Sequence, residues 1–362
     1  MVFNPREPFN DLPPLPPGGE METIAILKKL VDAKAKLAEL KGRAIAIPNQ
    51  DILINNIALQ EAKASSEIEN IITTNDKLFK AISAKNYKPD KQTKEVINYR
   101  KALYSAFERI KSRDIISVND IIQINGSILG YTGGIRKIPG TALLNDTTGE
   151  IIYTPPAGED VLRDKLSNLA NFINDDEIAD YDPLIKMAII HYQFESIHPF
   201  GDGNGRSGRI LNVLYLVQKG LLDLPVLFLS RFINQNKSNY YKYLREVTVN
   251  GNWEQWILYM IEAIGVTSAY SLQKVNLIIE ALNSTIEKVN LNAGDIYKKE
   301  LVEILFEQPY CNSSFLENRL GIVRQTASSY LKKLEEIGVL KFEKVGKENL
   351  YLNVELVNIL KQ

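Results

Sequence analysis

Cysteine is nearly absent: Cys311 is the one thiol in 362 residues, beside two histidines, two tryptophans and four methionines. One thiol closes no internal disulfide and builds no cysteine zinc site, a pattern that fits a reducing compartment. An excess charge of either sign is also missing, since 43 Lys+Arg against 44 Asp+Glu leave a net charge of −1. No general pull toward nucleic acid or membrane follows, so any such partner must meet a local patch. The longest apolar region, 211–229, is broken by Asn212, Gln218, Lys219 and Asp223, and no run of about 18 apolar residues is there to span a bilayer. The first residues, MVFNPREPFNDLPPLPPGGE, lack the apolar core of a secretory signal. Internal repeats are missing too. What remains, 45% hydrophobic and 24% charged, is ordinary for a soluble globular chain of two or three domains, expected in the cytoplasm.

Residues 1–20 are proline-rich, and the run Leu12-Pro13-Pro14-Leu15-Pro16-Pro17 favours an extended arm packed on its own chain. Apolar spacing then predicts helices from Glu20 to about Leu40 and over 50–70, 92–111 and 117–130. The segment Gly133–Pro156 changes character. Its Gly133-Gly134, Pro139-Gly140, Asn145-Asp146 and Pro155-Pro156 pairs flank two short strands, Thr141–Leu144 and Glu150–Thr154, joined by a polar turn. Helical spacing returns over 159–174, 183–195, 206–219 and Trp253–Ile286. The tail, 295–362, reads helix (298–307), helix (313–320), turn, helix (Arg324–Ile337), then strands at Val339–Phe342 and Leu350–Leu352, the order of a winged helix-turn-helix. The expected fold is mainly α.

Chemistry concentrates in His198-Pro199-Phe200-Gly201-Asp202-Gly203-Asn204-Gly205-Arg206-Ser207-Gly208-Arg209. Alternating glycines permit positive φ and close backbone approach, and a strongly apolar helix follows. Free N–H groups at that helix start, with its dipole, form an anion site. Arg206 and Arg209 lie three apart in the first turn, on one face, where they oppose the dipole unless polyanionic phosphate occupies that end. Asp202 is a hard oxygen ligand suited to Mg²⁺ shared with phosphate oxygens. His198 beside a phosphate site is a natural general base for a protein hydroxyl. Rival readings fail on spacing. Gly203-x-Gly205-x-x-Gly208 has no βαβ unit around it, no Lys follows a last glycine as a P-loop needs, and Val213 stands where a calcium loop from Asp202 needs Glu.

This segment resembles the Fic-family motif His-Pro-Phe-x-(Asp/Glu)-Gly-Asn-Gly-Arg-x-x-Arg at all nine specified positions, and a looser resemblance covers most of 10–285. The resemblance implies a Fic-type helical bundle with a β-hairpin flap, divided as 1–110 (arm and inhibitory helical domain), 111–286 (catalytic core) and 295–362 (winged-helix-like). It implies a protein adenylyltransferase, moving AMP from Mg-ATP to a Tyr, Thr or Ser hydroxyl of a target protein and of the chain itself. His198 would deprotonate that hydroxyl and Asp202 hold Mg²⁺. Asn204 and the amides of Gly203 and Gly205 would bind phosphate oxygens, and Arg206 and Arg209 the β- and γ-phosphates. Ser65, Glu69 and Asn70 fit the family's inhibitory pattern (Ser/Thr)-x-x-x-Glu-(Gly/Asn), with Glu69 expected to pair with Arg209 in place of the γ-phosphate. Gly133–Pro156 resembles the flap that holds a target segment as an added strand, with Arg136, Ile138, Thr141 and Ala142 as its working part. Tyr240 or Tyr241 resembles an adenine-stacking residue. His191 reads as structural support.

Alternatives stay open at this point: another donor, AMP removal, or a nucleotide-sensing regulator that binds DNA through the tail. The tail's recognition helix begins Arg324-Gln325-Thr326-Ala327-Ser328-Ser329, but Glu335, Glu336, Glu343 and Glu348 offset its lysines. DNA contact, partner docking and a homodimer all remain open, and no membrane partner is expected.

Overall fold

The computed structural model describes residues 3–84, 86–131, 133–144 and 148–361. Fifteen helices and five strands are formed among them. The N-terminal arm, as expected, packs on its own chain. Phe9 N–H donates to Thr154 O, Gln193 to Pro13 O, and Leu15 exchanges two hydrogen bonds with Asn168.

The helices begin where capping side chains stand. Thr23 caps α1 (Ile24–Ile45), Asp90 caps α4 (Lys91–Arg113), and Ser117 with Asp120 makes a capping box on α5 (Val118–Leu129). Between α1 and α4 lie α2 (Asp51–Ile68) and α3 (Asn75–Ser83). After the hairpin of β1 (Leu143–Leu144) and β2 (Ile151–Tyr153) come α6 (Glu159–Asn174), α7 (Pro183–Ile197) and α8 (Asn204–Gln218). Then follow α9 (Leu229–Gln235), α10 (Lys237–Asn250) and α11 (Trp253–Asn292).

The centre of the molecule is the pair α7 and α8. In α7 almost every side chain from Leu184 to Ile197 is buried, the pattern of a helix with neighbours on all sides. Those neighbours are α6, α8 and α11, while α4 and α5 cover α8 and α2 packs on α4, α8 and α9. The 40-residue α11 runs past the core, with α1 along it, to the C-terminal unit. That unit comprises α12 (Lys299–Glu307), β3 (Tyr310–Cys311), α13 (Ser313–Leu320), α14 (Arg324–Glu336), β4 (Leu340–Val345), β5 (Glu348–Asn353) and α15 (Val354–Lys361). Its sheet is antiparallel in the order β3-β5-β4, with α13 packed on α14 and α14 on β4, in the chain order that the sequence predicts.

Two departures from the sequence expectation have physical causes. Thr141 and Ala142 lie outside the ladder, because Gly140 at φ +104 turns the chain just ahead of them and pairing starts at Leu143. The expected Asn145-Asp146 turn lies outside the described residues. The helices α3, α9, α10 and α15 were not anticipated: α3 has nine residues, and α10 buries only Tyr240 and Val247, so neither shows a long apolar period.

Candidate active site

The loop between α7 and α8 is fixed from three directions. His198 ends α7 in the left-handed region at φ 47, its N–H bonded to Phe194 O. Arg136 braces the turn, donating from Nε to His198 O (2.8 Å), from its backbone N–H to Pro199 O (2.9 Å), and from its guanidinium to Pro156 O. Asn125 on α5 donates to Asp202 O at 2.8 Å. Gly203, at φ +79, caps α8, and a Cβ there would stand 2.9 Å from Asn125 Nδ2. Asn204 closes the loop on itself, accepting from Phe200 N–H (2.9 Å) and donating to Phe200 O (2.8 Å). The N–H groups of Asn204, Gly205 and Arg206 therefore open α8 with no carbonyl one turn back.

Both arginines of this helix are buried and held in place. Arg209 donates from Nε to Ser65 Oγ (2.8 Å), and from Nη2 to Ser65 O (3.0 Å) and Glu69 Oε1 (2.8 Å). Burial disfavours its charge, but Glu69, with Tyr240 and Glu195 nearby, more than offsets this and holds the guanidinium above its ordinary value. For Glu69, burial raises the carboxyl and Arg209 lowers it further, so it stays below the usual carboxylate range. Glu69 ends α2, and the following Asn70 turns away at φ +60. Gly205 makes room for this contact: a Cβ there would stand 2.4 Å from Glu69 Oε1. Arg206 bonds Glu95 Oε2 on α4 (2.9 Å) and Asp202 Oδ1 (3.2 Å). The Asp202 side chain is 68% exposed at the rim and also accepts from Gly203 N–H at 2.5 Å.

Burial, then Arg136, pushes the His198 imidazole down to about 4, so it is neutral at pH 7. The Glu195 carbonyl is near enough to favour the protonated ring without meeting hydrogen-bond geometry at the buried Nδ1. His191, as expected, is structural. It is fully buried, bonds Tyr240 Oη at 2.9 Å, stacks on Trp256, and is pushed down to about 3 by burial. Two carboxyls stand close by, each pushed up to about 7 by desolvation: Glu195 on α7, partly exposed at the cleft, and the buried Glu61 on α2. Glu61 accepts from the N–H and hydroxyl of Ser230, tying α2 to the start of α9.

His198, Glu69, Glu195, Gly205 and Arg209 line a cleft of about 720 Å³. Its walls are α7 (Tyr192, Glu195, Ser196), α10 (Tyr240 to Asn250), the hairpin (Leu143, Ile152, Tyr153) and Phe3 of the N-terminal arm. Phe3 stacks on Tyr153 at 5.9 Å between centroids, and Tyr153 Oη donates to Ser196 O at 2.7 Å.

The cleft thus gathers His198, Glu69, Gly205 and Arg209, while the ion pair of exposed Asp202 and buried Arg206 lies outside its lining. The structure places the other expected site residues as follows. Both polar atoms of the Asn204 side chain bond Phe200. Arg136 is a brace of the His198 turn rather than a free edge of the hairpin, since its guanidinium is committed to two carbonyls. Tyr240 is 2% exposed and packed against Trp256, whereas Tyr241 is 45% exposed at the cleft. Thr141 and Ala142 precede the paired strand, and Ile138 stands open at 81%. Sequence reasoning missed Glu61, Glu95, Asn125 and Glu195. Their only sequence signal is a polar side chain inside an apolar helical face.

Three family profiles match the chain: "Fic/DOC family N-terminal" over residues 27–108, "Fic/DOC family" over 115–216, and "Protein adenylyltransferase SoFic-like, C-terminal domain" over 281–356. Among curated relatives, protein adenylyltransferase fic-1 of Caenorhabditis elegans is 25% identical over 187 residues, 51% of this chain and 33% of that protein. Protein adenylyltransferase Fic of Nematostella vectensis is 28% identical over 225 residues, 58% of this chain and 49% of that protein. The matches thus span a third to a half of those relatives' length. Of solved structures, a Fic family protein from Desulfovibrio desulfuricans G20 covers 93% of this chain and 98% of its own, with a TM-score of 0.58 and 21% identity. Fic-1 from C. elegans covers 69% and 72%, with a TM-score of 0.55 and 20% identity. Such likenesses speak for the fold alone. The profiles follow one another along the chain in a single order, and the chain belongs to the Fic/DOC family.

Proposed function

We propose that this protein transfers AMP from Mg-ATP to a Tyr, Thr or Ser hydroxyl of a target protein and of itself, and that Glu69 restrains the reaction. The observation that carries this reading is the meeting, at one end of a nucleotide-sized cleft, of a neutral imidazole, an open helix N-terminus and a buried arginine paired with a carboxylate. The triphosphate lies along the first amides of α8, where backbone N–H groups and the dipole favour anions. The His198 imidazole takes the proton of the target hydroxyl. The hydroxyl oxygen then bonds to the α-phosphorus, the bond from that phosphorus to the α,β-bridging oxygen breaks, and pyrophosphate leaves in line.

Asp202 suits the metal. It is one hard ligand at the rim, and among the described residues no group of three or more His, Cys, Asp or Glu side chains gathers, which fits an ion completed by phosphate oxygens and water. Bound there, Mg²⁺ supplies charge neutralisation at the α- and β-phosphates. Arg209 meets the γ-phosphate once Glu69 withdraws. Tyr241 packs on the base, and an extended target segment adds beside β1. The residue boundaries 1–110, 111–286 and 295–362 are proposed as the working divisions of the chain.

The test is transfer of label from α-labelled ATP with Mg²⁺ in Glu69→Gly, with and without His198→Ala. Label that vanishes with His198→Ala supports the reading. A folded Glu69→Gly protein that transfers no label to itself or to proteins of a lysate sinks it.

A further inference from the structure

Besides packing on α11, the C-terminal unit grips the chain on both sides of the segment that carries Glu69. At the N-terminal half of α2, the buried Asn56 donates to Ile52 O (2.7 Å) and across to Phe306 O of α12 (2.8 Å). Just ahead of it, Asn49 donates to Glu307 Oε1 (2.7 Å), and Arg319 of α13 bridges Glu307 and Asp51. Beyond Glu69, the unit grips α3. Lys80 pairs with Glu343 Oε1 of β4 (2.7 Å) and with Asp76 (3.0 Å), and Tyr310 of β3 bonds Glu343 (2.8 Å) and Asp76 (3.2 Å). Asn312 donates to Ser83 O (3.1 Å), and Asn86 N–H to Glu348 Oε1 (2.6 Å). The unit is itself anchored on the body of the molecule, where α15 packs on α11 and Lys274 donates to Ile359 O at 2.6 Å.

Glu69 sits between these two grips, on the closing turn of α2, where Glu69 N–H donates to Ser66 O (3.0 Å), Asn70 N–H to Glu67 O (3.1 Å) and Ile71 N–H to Ser66 O (3.0 Å) before the chain leaves at Asn70 φ +60. Its carboxylate makes one contact with Arg209 and is 37% exposed, so its hold depends on where α2 ends. A packed helix transmits displacement of its end nearly rigidly.

We propose that the C-terminal unit positions Glu69 on Arg209 by clasping α2 and α3 from both sides. Asn56, Lys80, Tyr310 and Glu343 are then positioning residues for the restraint, acting through Glu69 and touching no substrate. A partner that engages the unit and shifts it off α3 loosens the restraint without entering the cleft. The proposal rests on Glu69 being a restraint, but the position of Glu69 is measurable without any transfer reaction.

The full chain is compared with Lys80→Glu, which sets a third carboxylate against Asp76 and Glu343, and with the exchange Lys80→Glu/Glu343→Lys, which restores the pairing. Two readouts are taken: amide hydrogen exchange over residues 66–74, and label transfer in Glu69 and Glu69→Gly backgrounds. Lys80→Glu is expected to speed exchange over 66–74 and raise transfer about fivefold when Glu69 is present. The exchange pair returns both to the parent values, and neither change adds to Glu69→Gly. Unchanged exchange over 66–74 in folded Lys80→Glu overturns the proposal, as does a rise in transfer of the same size in both backgrounds. Absence of label in every variant counts against the transferase reading alone, and the hydrogen exchange still decides the clasp.

Discussion

Replacing Glu69 by glycine removes the carboxylate that touches Arg209 and leaves that guanidinium with Ser65 alone on this side. A hydrogen bond between charged groups contributes about 1.5–3 kcal/mol. Glu69 is 37% exposed, so solvent screening places its contact at the lower end, about 1.5 kcal/mol. If triphosphate must break this contact to reach Arg209, the variant should bind ATP about tenfold more tightly. AMP, which does not extend to Arg209, should gain little. Without nucleotide the variant should melt a few degrees lower, because a buried cation has lost its partner, and saturating ATP should restore the melting temperature. Calorimetric titration with ATP and AMP and a thermal melt with and without ATP measure all three effects. Equal gains for ATP and AMP would mean that Glu69 does not stand in the place of the γ-phosphate, and the reasoning would fail.

The chain's two histidines make a direct proton titration readable. Both are depressed, His198 to about 4 and His191 to about 3, so both rings should be neutral at pH 8 and still neutral at pH 5.5; a ring-proton NMR transition centred near 6.5 in either would contradict the burial argument. Asn204→Ala strips both hydrogen bonds from the buried Phe200 backbone, and should cost about 2–3 kcal/mol in denaturant unfolding and lower transfer in a Glu69→Gly background. A variant as stable as the parent would show that the loop does not depend on that staple.

Residues 198–209 are legible in the sequence because much of their bonding is local. Asn204 reaches back to Phe200, Arg206 to Asp202 and Ser207 to Gly203, each four residues away. The bracing groups come from far off: Arg136 lies 62 residues from His198, Asn125 77 from Asp202, and Glu95 111 from Arg206. No periodicity carries such distances. Ser65 and Glu69 lie 144 and 140 residues from Arg209, and only a spacing shared with a known pattern points to them. Arg136 and Asn204 mark the limit of reading by residue type. A polar side chain beside a reactive loop declares that it will make hydrogen bonds, but not whether it bonds a ligand or the loop's own backbone. The helical core was readable where apolar spacing ran for three turns or more. It was unreadable in α10, whose outer faces are wet and whose aromatic residues serve the cleft.

The arm that puts Phe3 against Tyr153 has a practical side. Residues fused ahead of the chain would be tethered two residues from Phe3, which lines the cleft, so a histidine-rich purification tag would bring foreign imidazoles and flexible chain within reach of the place where the base is proposed to work. Activity recorded on such a preparation would mix the restraint proposed for Glu69 with obstruction by the tag, and a low rate would be credited to Glu69 that belongs to the tag. A tag behind α15, none of whose residues line the cleft, keeps the two apart.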